Sequence, residues 1–144
     1  MTGSEQPPPG GASFKEEHVR RYRATDGEDG YFWNGAPVLL LTTTGRRTGS
    51  QHTTPLLFGR DGDRYLIVAS RKGADRHPQW YLNLDANPQV EVQVLGERFV
   101  ARARTADTHE KPALWRTMVD VWPDYDAYQA ATERVIPLVI IERA

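Results

Sequence analysis

The chain has no cysteine among its 144 residues. Disulfides, iron–sulfur clusters and thiolate zinc sites are therefore excluded, and a reducing cytoplasm is a natural location. Long hydrophobic runs are missing as well, because the longest, residues 37–41, is far too short to cross a bilayer as a helix. The N-terminal residues lack the basic-then-apolar pattern of a signal peptide. The sequence therefore predicts a cytoplasmic protein.

An excess of charge of either sign is also missing. Lysine and arginine number 18, aspartate and glutamate 19, and the formal net charge is −1. Without a strong overall field, binding to nucleic acid is not expected. The 4 histidines are far apart and form no HxH or HExxH spacing, which argues against a metal site. No serine lies in a GxSxG elbow, which argues against a serine hydrolase.

The composition suits one globular domain with a short tail. The chain is 39% hydrophobic and 26% charged, and its length is that of a single domain. Residues 1–13 contain the run PPPGG, which predicts a disordered tail. We expect residues 14–144 to fold as a single domain that begins with a helix.

Apolar patterning predicts a sheet of about six strands with short helices in the connections. Short apolar runs and alternation predict strands at residues 38–43, 53–58, 64–70, 90–94, 98–104 and 135–142. Helical spacing and turn signals predict helices at residues 14–24, 78–85, 110–122 and 124–132. Pro55 inside the second strand indicates an edge strand or a bulge. Such an antiparallel, mainly β sheet is expected to close into a small barrel.

Two basic turns follow the first and third predicted strands. Residues 45–50 have the sequence GRRTGS, which lacks Walker spacing, and residues 70–73 have the sequence SRKG. If the strands pair as consecutive hairpins, both turns lie at the same end of the sheet. Either turn alone is equally well a charged hairpin turn, but together they predict a pocket for a polyanion. Its cations and hydroxyls belong to Arg46, Arg47, Thr48, Ser50, Ser70, Arg71 and Lys72.

Aromatic residues are expected near these turns. Trp80 beside the cations suits a ligand that has a ring system and an anionic tail. Tyr31, Phe32 and Trp33 form a cluster with three interpretations: a plug at the edge of the core, the wall of a ligand cleft, or a protein-interaction patch.

A second aromatic group lies near the end of the chain. Tyr125 and Tyr128 share one face of a predicted helix, and Trp122 is close to them in sequence. The group is either core and interface packing or the wall of a substrate site. In the second case the phenol hydroxyls donate hydrogen bonds to an acceptor oxygen that gains charge.

Three segments of the chain, GRRTGSQHTTPL, VASRKGADRHPQWYLNLDANPQVEVQV and WPDYDAYQAATERVIPLVIIE, carry a family resemblance. In content and order they resemble the deazaflavin-dependent nitroreductase family, a branch of the flavin/deazaflavin oxidoreductases of actinobacteria. The likeness covers residues 37–142. It implies a split β-barrel fold of the FMN-binding type. It also implies coenzyme F-420, an 8-hydroxy-5-deazaflavin with a phosphate and an oligoglutamate tail.

The resemblance also implies roles for individual residues. Arg46, Arg47 and Thr48 match contacts to the phosphate and the tail, and Pro55 and Leu56 match the stretch along the ring system. The implied cofactor-binding set is Arg46, Arg47, Thr48, Pro55, Leu56, Ala69, Ser70, Arg71, Lys72, Trp80 and Asn83. The implied substrate-binding residues are Trp122, Tyr125 and Tyr128, and the implied catalytic residues are Ser70, Tyr125 and Tyr128. The chain departs from the family pattern at His52, Lys72 and Trp122.

The activity that the resemblance implies is hydride transfer from C5 of reduced F-420 to a quinone, a nitroaromatic or an activated enone. Two alternatives stay open. One is an FMN-dependent split-barrel oxidoreductase, and the other is a carrier that binds the deazaflavin without turning it over. The expected partner is a small-molecule electron acceptor. The physiological acceptor and the oligomeric state do not follow from the sequence.

The predicted helix at residues 14–24 is expected to pack on the barrel. Its alternatives are a cover over the acceptor pocket and a contact with a membrane that carries quinone. Both rest on Arg20, Arg21 and Arg23, which stand beside apolar Val19 and Tyr22. The membrane alternative places the protein at the inner face of the membrane as a peripheral protein.

Overall fold

An antiparallel sheet of eight strands forms the centre of the described structure. The computed structural model describes the backbone of residues 12–144 and the side chains of residues 15–144. Residues 1–11, which make up most of the predicted tail, lie outside the described residues. Ala12 and Ser13, the last two residues of that predicted tail, already belong to the first helix.

The strands and helices alternate irregularly along the chain. The strands are β1 (Phe32–Trp33), β2 (Ala36–Thr44), β3 (Gln51–Leu57), β4 (Gly59–Asp61), β5 (Arg64–Val68), β6 (Gln89–Val94), β7 (Glu97–Thr105) and β8 (Leu138–Arg143). The α-helices are α1 (Ala12–Ala24), α2 (Gln79–Ala86), α3 (Lys111–Val121) and α4 (Asp124–Ala130), and a 3-10 turn covers Arg71–Gly73.

The sheet curls but does not close. Its strand order is β1-β2-β6-β7-β8-β5-β4, and β3 pairs with β2 alone among the described strands. Strand β3 approaches β5 without a ladder of hydrogen bonds between them, which leaves an open seam. Pro55 lies on this edge strand opposite Leu40, as expected for a residue that cannot donate to a second neighbour.

Two parts of the predicted sheet are wrong. There are eight strands in the described residues rather than about six, because β1 and β4 have only 2 and 3 residues and leave no alternation to detect. The expected hairpin between the second and third predicted strands does not form either. Strand β3 pairs with β2, whereas β5 pairs with β4 and with the distant β8. The chain therefore stops pairing with β2 and begins to pair with β5 near Phe58, and no local sequence pattern predicts this change.

The predicted helices and the mainly β composition are confirmed. All four predicted helices are present, with ends within about two residues of those expected, which is the usual uncertainty of helix ends. The last strand begins at Leu138 rather than at residue 135, and β5 ends at Val68 rather than at residue 70. The two residues lost from β5 are the start of the second basic turn.

The continuous apolar runs of β2, β5 and β8 arise because both faces of these strands are covered. Leu39 and Leu41 of β2 pack inside the curled sheet, with residues from β5, β6, β8 and α2. Leu40, which points the other way, packs against α1. On β5 and β8, alternate residues such as Leu66 and Ile140 pack against α3 and α4. Full burial of a leucine or isoleucine contributes about 1.5–3 kcal/mol, so these strands anchor the fold.

Helix α1 packs on the sheet through Tyr22, which is fully buried. Its hydroxyl donates to the Val38 carbonyl at 2.9 Å and accepts the Leu95 N–H at 2.8 Å. Burial raises the pKa of Tyr22, so the phenol stays neutral in this position. The interpretation of this helix as packed on the barrel is therefore confirmed. No described helix combines the length and the apolar composition needed to cross a membrane.

Candidate active site

A large cavity of about 1500 Å³ opens between α1, β3, the 3-10 turn, α2 and α4. Both basic turns contribute to its wall, so Arg46 and Arg71 line the same cavity although the hairpin pairing behind that expectation is wrong. Among the predicted site residues Ala69 and Ser50 are missing from the lining. Ala69 is fully buried in the core. The predicted residues that line the cavity are Arg46, Arg47, Thr48, Pro55, Leu56, Ser70, Arg71, Lys72, Trp80, Asn83, Trp122, Tyr125 and Tyr128.

The first basic turn is a compact hairpin connection between β2 and β3. The Gly45 N–H donates to the Ser50 carbonyl at 2.6 Å, and the Gly49 N–H donates to the Gly45 carbonyl at 2.9 Å. Gly49 has a φ of 76°, a left-handed conformation that glycine adopts at little cost. The Thr48 hydroxyl accepts the Ser50 N–H at 3.2 Å, which closes the turn from inside. The conformation of this turn thus follows from its own residues.

Neutral amides hold Arg46 in place. Its backbone N–H and its Nη1 both donate to Oδ1 of Asn83, at 3.2 and 2.8 Å, and its Nη2 donates to Oε1 of Gln79 at 2.9 Å. Asn83 is itself buried, and its Nδ2 donates to the Thr43 hydroxyl at 3.4 Å. Amide oxygens orient the guanidinium without cancelling its charge, so Arg46 remains a full cation at the cavity wall.

The second basic turn has a strained backbone. Arg71, Lys72 and Gly73 all have positive φ, at 46°, 55° and 81°. A residue with a side chain pays on the order of 1–2 kcal/mol for this conformation. The Ser70 carbonyl accepts the Gly73 N–H at 2.9 Å, and the Arg71 carbonyl accepts the Ala74 N–H at 3.0 Å. The turn therefore needs support from outside itself to keep this shape.

The four cations of the two turns carry no paired acid. Among the residues whose side chains are described, no carboxylate forms an ion pair with Arg46, Arg47, Arg71 or Lys72. The ion pairs elsewhere in that part of the chain join other arginines to acids outside the cavity or on α1, such as Arg104 with Glu110. This end of the cavity is therefore positively charged and suited to phosphate or carboxylate groups.

Aromatic side chains form a different part of the cavity wall. The rings of Trp33 and Trp122 lie with centroids 5.1 Å apart and an angle of 41° between their planes. Nε1 of Trp122 donates to the Tyr128 hydroxyl at 3.3 Å, and the rings of Tyr125 and Tyr128 meet edge to face. Because that phenol oxygen accepts from Trp122, its own hydrogen is free to point at a ligand.

Tyr125 and Tyr128 differ in exposure. Tyr125 is only 5% exposed and packs on α3 and β8, and burial first and the neighbouring Tyr128 second raise its pKa well above the ordinary value. Tyr128 is partly exposed and packs at the edge of the same cluster. Tyr125 thus supports the wall, and Tyr128 is the phenol better placed to contact a ligand.

The residues of the cluster Tyr31, Phe32 and Trp33 fit different interpretations among those given for it. Tyr31 packs at the edge of the core and meets Phe58 edge to face. Trp33 lines the cavity, and its Nε1 is buried without a hydrogen-bond partner among the described residues. Phe32 is 65% exposed. The plug and the cleft wall are both present: Tyr31, just before β1, belongs to the plug, and Trp33, the last residue of β1, belongs to the cavity wall.

Helix α1 also contributes to the cavity wall, and its lining residues include His18, Arg20 and Arg23. Nη2 of Arg23 donates to the Thr53 hydroxyl of β3 at 2.9 Å, which joins the helix to the edge strand. The helix therefore borders the cavity in addition to packing on the sheet. The alternative of a contact with a membrane stays a prediction.

The cavity suits a long ligand with unlike ends. Unpaired cations lie at the turns, and tryptophan and tyrosine rings line the wall near α4. Strand β3 also lines the cavity, and its free edge has backbone donors and acceptors without a partner strand among the described strands. A planar polar ring beside β3, with an acidic tail at the turns, matches this arrangement. The residues present therefore fit a deazaflavin with a phosphate and carboxylates.

Comparison of sequences points the same way. The family model for the F420H(2)-dependent quinone reductase matches residues 14–143. An F420H(2)-dependent quinone reductase of Mycobacterium tuberculosis strain H37Rv is 42% identical over 137 residues, which cover 92% of this chain and 92% of the relative. A putative F420H(2)-dependent quinone reductase from the same strain is 38% identical over 110 residues, 76% of this chain and 92% of the relative.

Comparison of structures agrees. A solved F420-H2 dependent reductase, FDR-A, superposes with a TM-score of 0.69 and is 37% identical, covering 74% of this chain and 94% of that chain. A structure described as a domain-swapped dimer gives a TM-score of 0.72 at 34% identity, over 88% of this chain and 96% of that one.

Fold and relatives together define a split-β-barrel oxidoreductase. Its curled sheet, open at the seam between β3 and β5, confirms the predicted fold class. The chain belongs to the F420H(2)-dependent quinone reductase family. Its cofactor is accordingly coenzyme F-420, and the FMN alternative finds no support in the family. When bound, the reduced coenzyme supplies a hydride equivalent, and the protein supplies position and electrostatics.

Three features of the site were missed at the level of sequence. Gln79 holds Arg46, Arg134 donates hydrogen bonds around the second turn, and the ring of Trp33 contacts that of Trp122. The first two are single polar residues whose partners are 33 and 64 positions away, so no local pattern reveals them. The position of Trp33 follows from the pairing of β1 with β2, which the sequence did not predict.

Proposed function

We propose that this protein reduces a quinone, with reduced coenzyme F-420 bound in the cavity as the electron source. The observation that carries the proposal is the cavity itself, which has unpaired cations at the two turns and an aromatic wall at α4. Family membership supports the same conclusion. Nitroaromatics and activated enones are further acceptors in this proposal, because the large open cavity imposes no narrow shape on a flat acceptor.

Arg46, Arg47, Arg71 and Lys72 bind the phosphate and the carboxylates of the coenzyme. Arginine offers a planar pair of donors to each acidic group, and lysine adds a compact charge. Arg46 is already oriented by Asn83, so less side-chain freedom is lost on binding. The expected result is a strongly salt-dependent affinity for the tail.

Strand β3 and Trp80 hold the ring system. Pro55 and Leu56 lie on the free edge of the sheet, and Trp80 borders the cavity from α2. A ring held between an edge strand and an apolar side chain is kept parallel to the sheet and away from bulk water. Holding both reactants in register is the main contribution of such a site to the rate.

Tyr128 donates a hydrogen bond to the acceptor oxygen that gains negative charge. The hydrogen bond from Trp122 fixes the orientation of the phenol and leaves its hydrogen available. Ser70 lines the same cavity and is a second candidate donor. Tyr125 stands behind Tyr128 and remains neutral because burial raises its pKa. Loss of one such donor costs on the order of 10²–10³ in rate.

Anaerobic mixing with F-420H₂ and menadione tests the proposal directly. We expect one oxidised coenzyme per menadione reduced, followed by the absorbance of the deazaflavin. Tyr128→Phe should slow this reaction at least about tenfold with nearly unchanged coenzyme affinity, because only the donated hydrogen bond is lost.

Tyr65→Phe is the matched control, since Tyr65 is buried in the core away from the cavity. Tight binding of the coenzyme without oxidation by any quinone, nitroaromatic or enone would contradict the proposal and favour a carrier. Equal turnover in Tyr128→Phe and in the parent protein would remove the role given to Tyr128.

A further inference from the structure

The second basic turn has a backbone that its own sequence does not favour. Arg71 and Lys72 have side chains, yet both are left-handed, at φ 46° and 55°, and Gly73 continues at 81°. The two backbone hydrogen bonds within the turn are of the ordinary kind. Such conformations persist only where the surrounding structure imposes them. A group outside the turn must therefore hold it.

Arg134 is that group. Its Nη2 donates to the Ser70 carbonyl at 2.7 Å and its Nε donates to the Ala74 carbonyl at 2.7 Å. Its Nη1 donates to the Ala69 carbonyl at 3.1 Å and to Nδ1 of His77 at 3.0 Å. Ala69 and Ser70 precede the strained residues, and Ala74 and His77 follow them. One guanidinium thus joins both ends of the turn.

Arg134 also connects the turn to the aromatic wall. It follows α4, the helix that carries Tyr125 and Tyr128. Gly73 lies directly against that helix, since a Cβ at this position would stand 2.8 Å from the Tyr128 carbonyl oxygen. Among the described residues Arg134 has no ion-pair partner, and carbonyl oxygens take its hydrogen bonds instead. Its position suits a structural connection between the two parts of the cavity.

We propose that Arg134 is a positioning residue that holds the second basic turn in its left-handed shape, so that Arg71 and Lys72 face the coenzyme tail. The second half of this statement rests on the proposed function. Only a planar guanidinium presents several donors in fixed directions, so lysine cannot join the Ser70 and Ala74 carbonyls in the same way. Arg134 also holds the turn against α4, the helix that carries Tyr128.

The first test is hydrogen exchange of the free protein, which does not depend on the proposed function. In Arg134→Lys we expect the amides of Gly73 and Ala74 to exchange at least about tenfold faster, while those of β5 and β8 keep their rates. Arg98→Lys, at an exposed arginine outside the cavity, is the control. Unchanged exchange in the turn, or equal acceleration throughout the sheet, would overturn the proposal.

Relief of the backbone strain is the second test. Glycine adopts the left-handed conformation at little cost, so Lys72→Gly added to Arg134→Lys should restore most of the protection of the turn. A merely general loss of stability is not repaired at this one position. If Arg134→Lys does not fold, Arg134→Gln gives the same comparison, because its amide still donates to one carbonyl. No recovery with Lys72→Gly would contradict the proposal.

Coenzyme binding is the third test. Arg134→Lys should raise the Kd and the KM for F-420H₂ at least about tenfold, about 1.4 kcal/mol, with kcat at saturation within about threefold. Wild-type affinity in this variant would show that the turn does not need Arg134 to bind the tail. If the parent protein does not bind F-420 at all, the proposed function fails, and the exchange experiment still decides the role of Arg134.

Discussion

The two basic turns of the cavity resemble each other in sequence but are stabilised in different ways. The turn at residues 45–50 is closed by its own backbone bonds, and its one left-handed residue is Gly49. The turn at residues 70–73 places two residues with side chains in that conformation and depends on Arg134, which is distant in sequence. The backbone of a basic turn can thus be fixed by local turn chemistry or by tertiary contacts. Only the first kind is visible in a sequence.

The surroundings of the turns differ as well. Asn83 and Gln79 of α2 accept hydrogen bonds from the guanidinium of Arg46 and hold it in place. Arg71 and Lys72 have no hydrogen bond of this kind from their side chains in the described part of the chain, and their backbone is held instead. In the first turn, tertiary contacts therefore fix the charged side chain of Arg46. In the second turn, they fix the backbone that carries Arg71 and Lys72.

Alanine in place of the two turn glycines should give the largest difference between the turns. Gly73→Ala adds a Cβ at 2.8 Å from the Tyr128 carbonyl in a left-handed backbone, and we expect a loss of about 3 kcal/mol. Gly49→Ala has no atom within 4 Å of its added Cβ, so only the backbone cost of about 1 kcal/mol remains. Urea unfolding at equal m-values measures both. Equal losses of unfolding free energy would show that the second turn accommodates the added Cβ as easily as the first.

Removal of the cations tests whether the turns share one ligand. Arg46→Ala with Arg47→Ala, and separately Arg71→Ala with Lys72→Ala, should each raise the Kd for F-420 at least tenfold, about 1.4 kcal/mol. The expected loss follows from the charge-assisted hydrogen bonds to phosphate and carboxylates. Fluorescence titration measures the affinities, with Arg98→Ala as a control outside the cavity. A loss confined to one pair would assign the tail to that turn alone.

The smallest expected effect is a pH dependence at the second turn, where Nδ1 of His77 accepts from Arg134. Burial first, and the charge of Arg134 second, lower the pKa of His77 from 6.5, and Asp85 opposes them. The unfolded chain therefore binds more protons at this ring than the folded protein. The contribution of neutral His77 to the free energy of unfolding is fully present above pH 6.5 and is lost as the pH falls below that value.

His77→Asn keeps an oxygen acceptor for Arg134 but cannot be protonated. We expect its free energy of unfolding to decline less than that of the parent between about pH 7 and about pH 5. His109→Asn, at an exposed histidine, should behave as the parent does. An identical decline in His77→Asn and in the parent would show that protonation of this ring has no effect on the turn.

Much of the fold was predictable because it depends on local signals. Apolar runs between glycines marked the strands, Pro55 marked an edge, and helical spacing marked the four helices. Strand pairing was not predictable, because β5 pairs with β8, which is distant in sequence, and the change of pairing partner near Phe58 leaves no local pattern. A hairpin between β3 and β5 was the simplest hypothesis. It is wrong, because β5 pairs with β8 and both strands pack against α3 and α4.

The site residues, too, include some that local sequence signals predict and others that depend on contacts between distant parts of the chain. Arg46 and the first turn follow from glycine spacing, and the two tyrosines follow from helical spacing on α4. The role of α1 in the wall and the four hydrogen bonds of Arg134 arise only when distant parts of the chain meet. The cofactor roles of the individual residues came from family resemblance rather than from spacing. They remain predictions that the titrations above test.

The most direct measurement of the central claim compares two ligands that differ only in their anionic part. The parent protein is titrated anaerobically with F-420 and with the same deazaflavin lacking the phosphate and the glutamates. We expect at least about hundredfold tighter binding of F-420, about 2.7 kcal/mol, and loss of that preference when Arg46, Arg47, Arg71 and Lys72 are all alanine. Equal affinity of the parent for both ligands, or a preference that survives in the variant, would contradict the account.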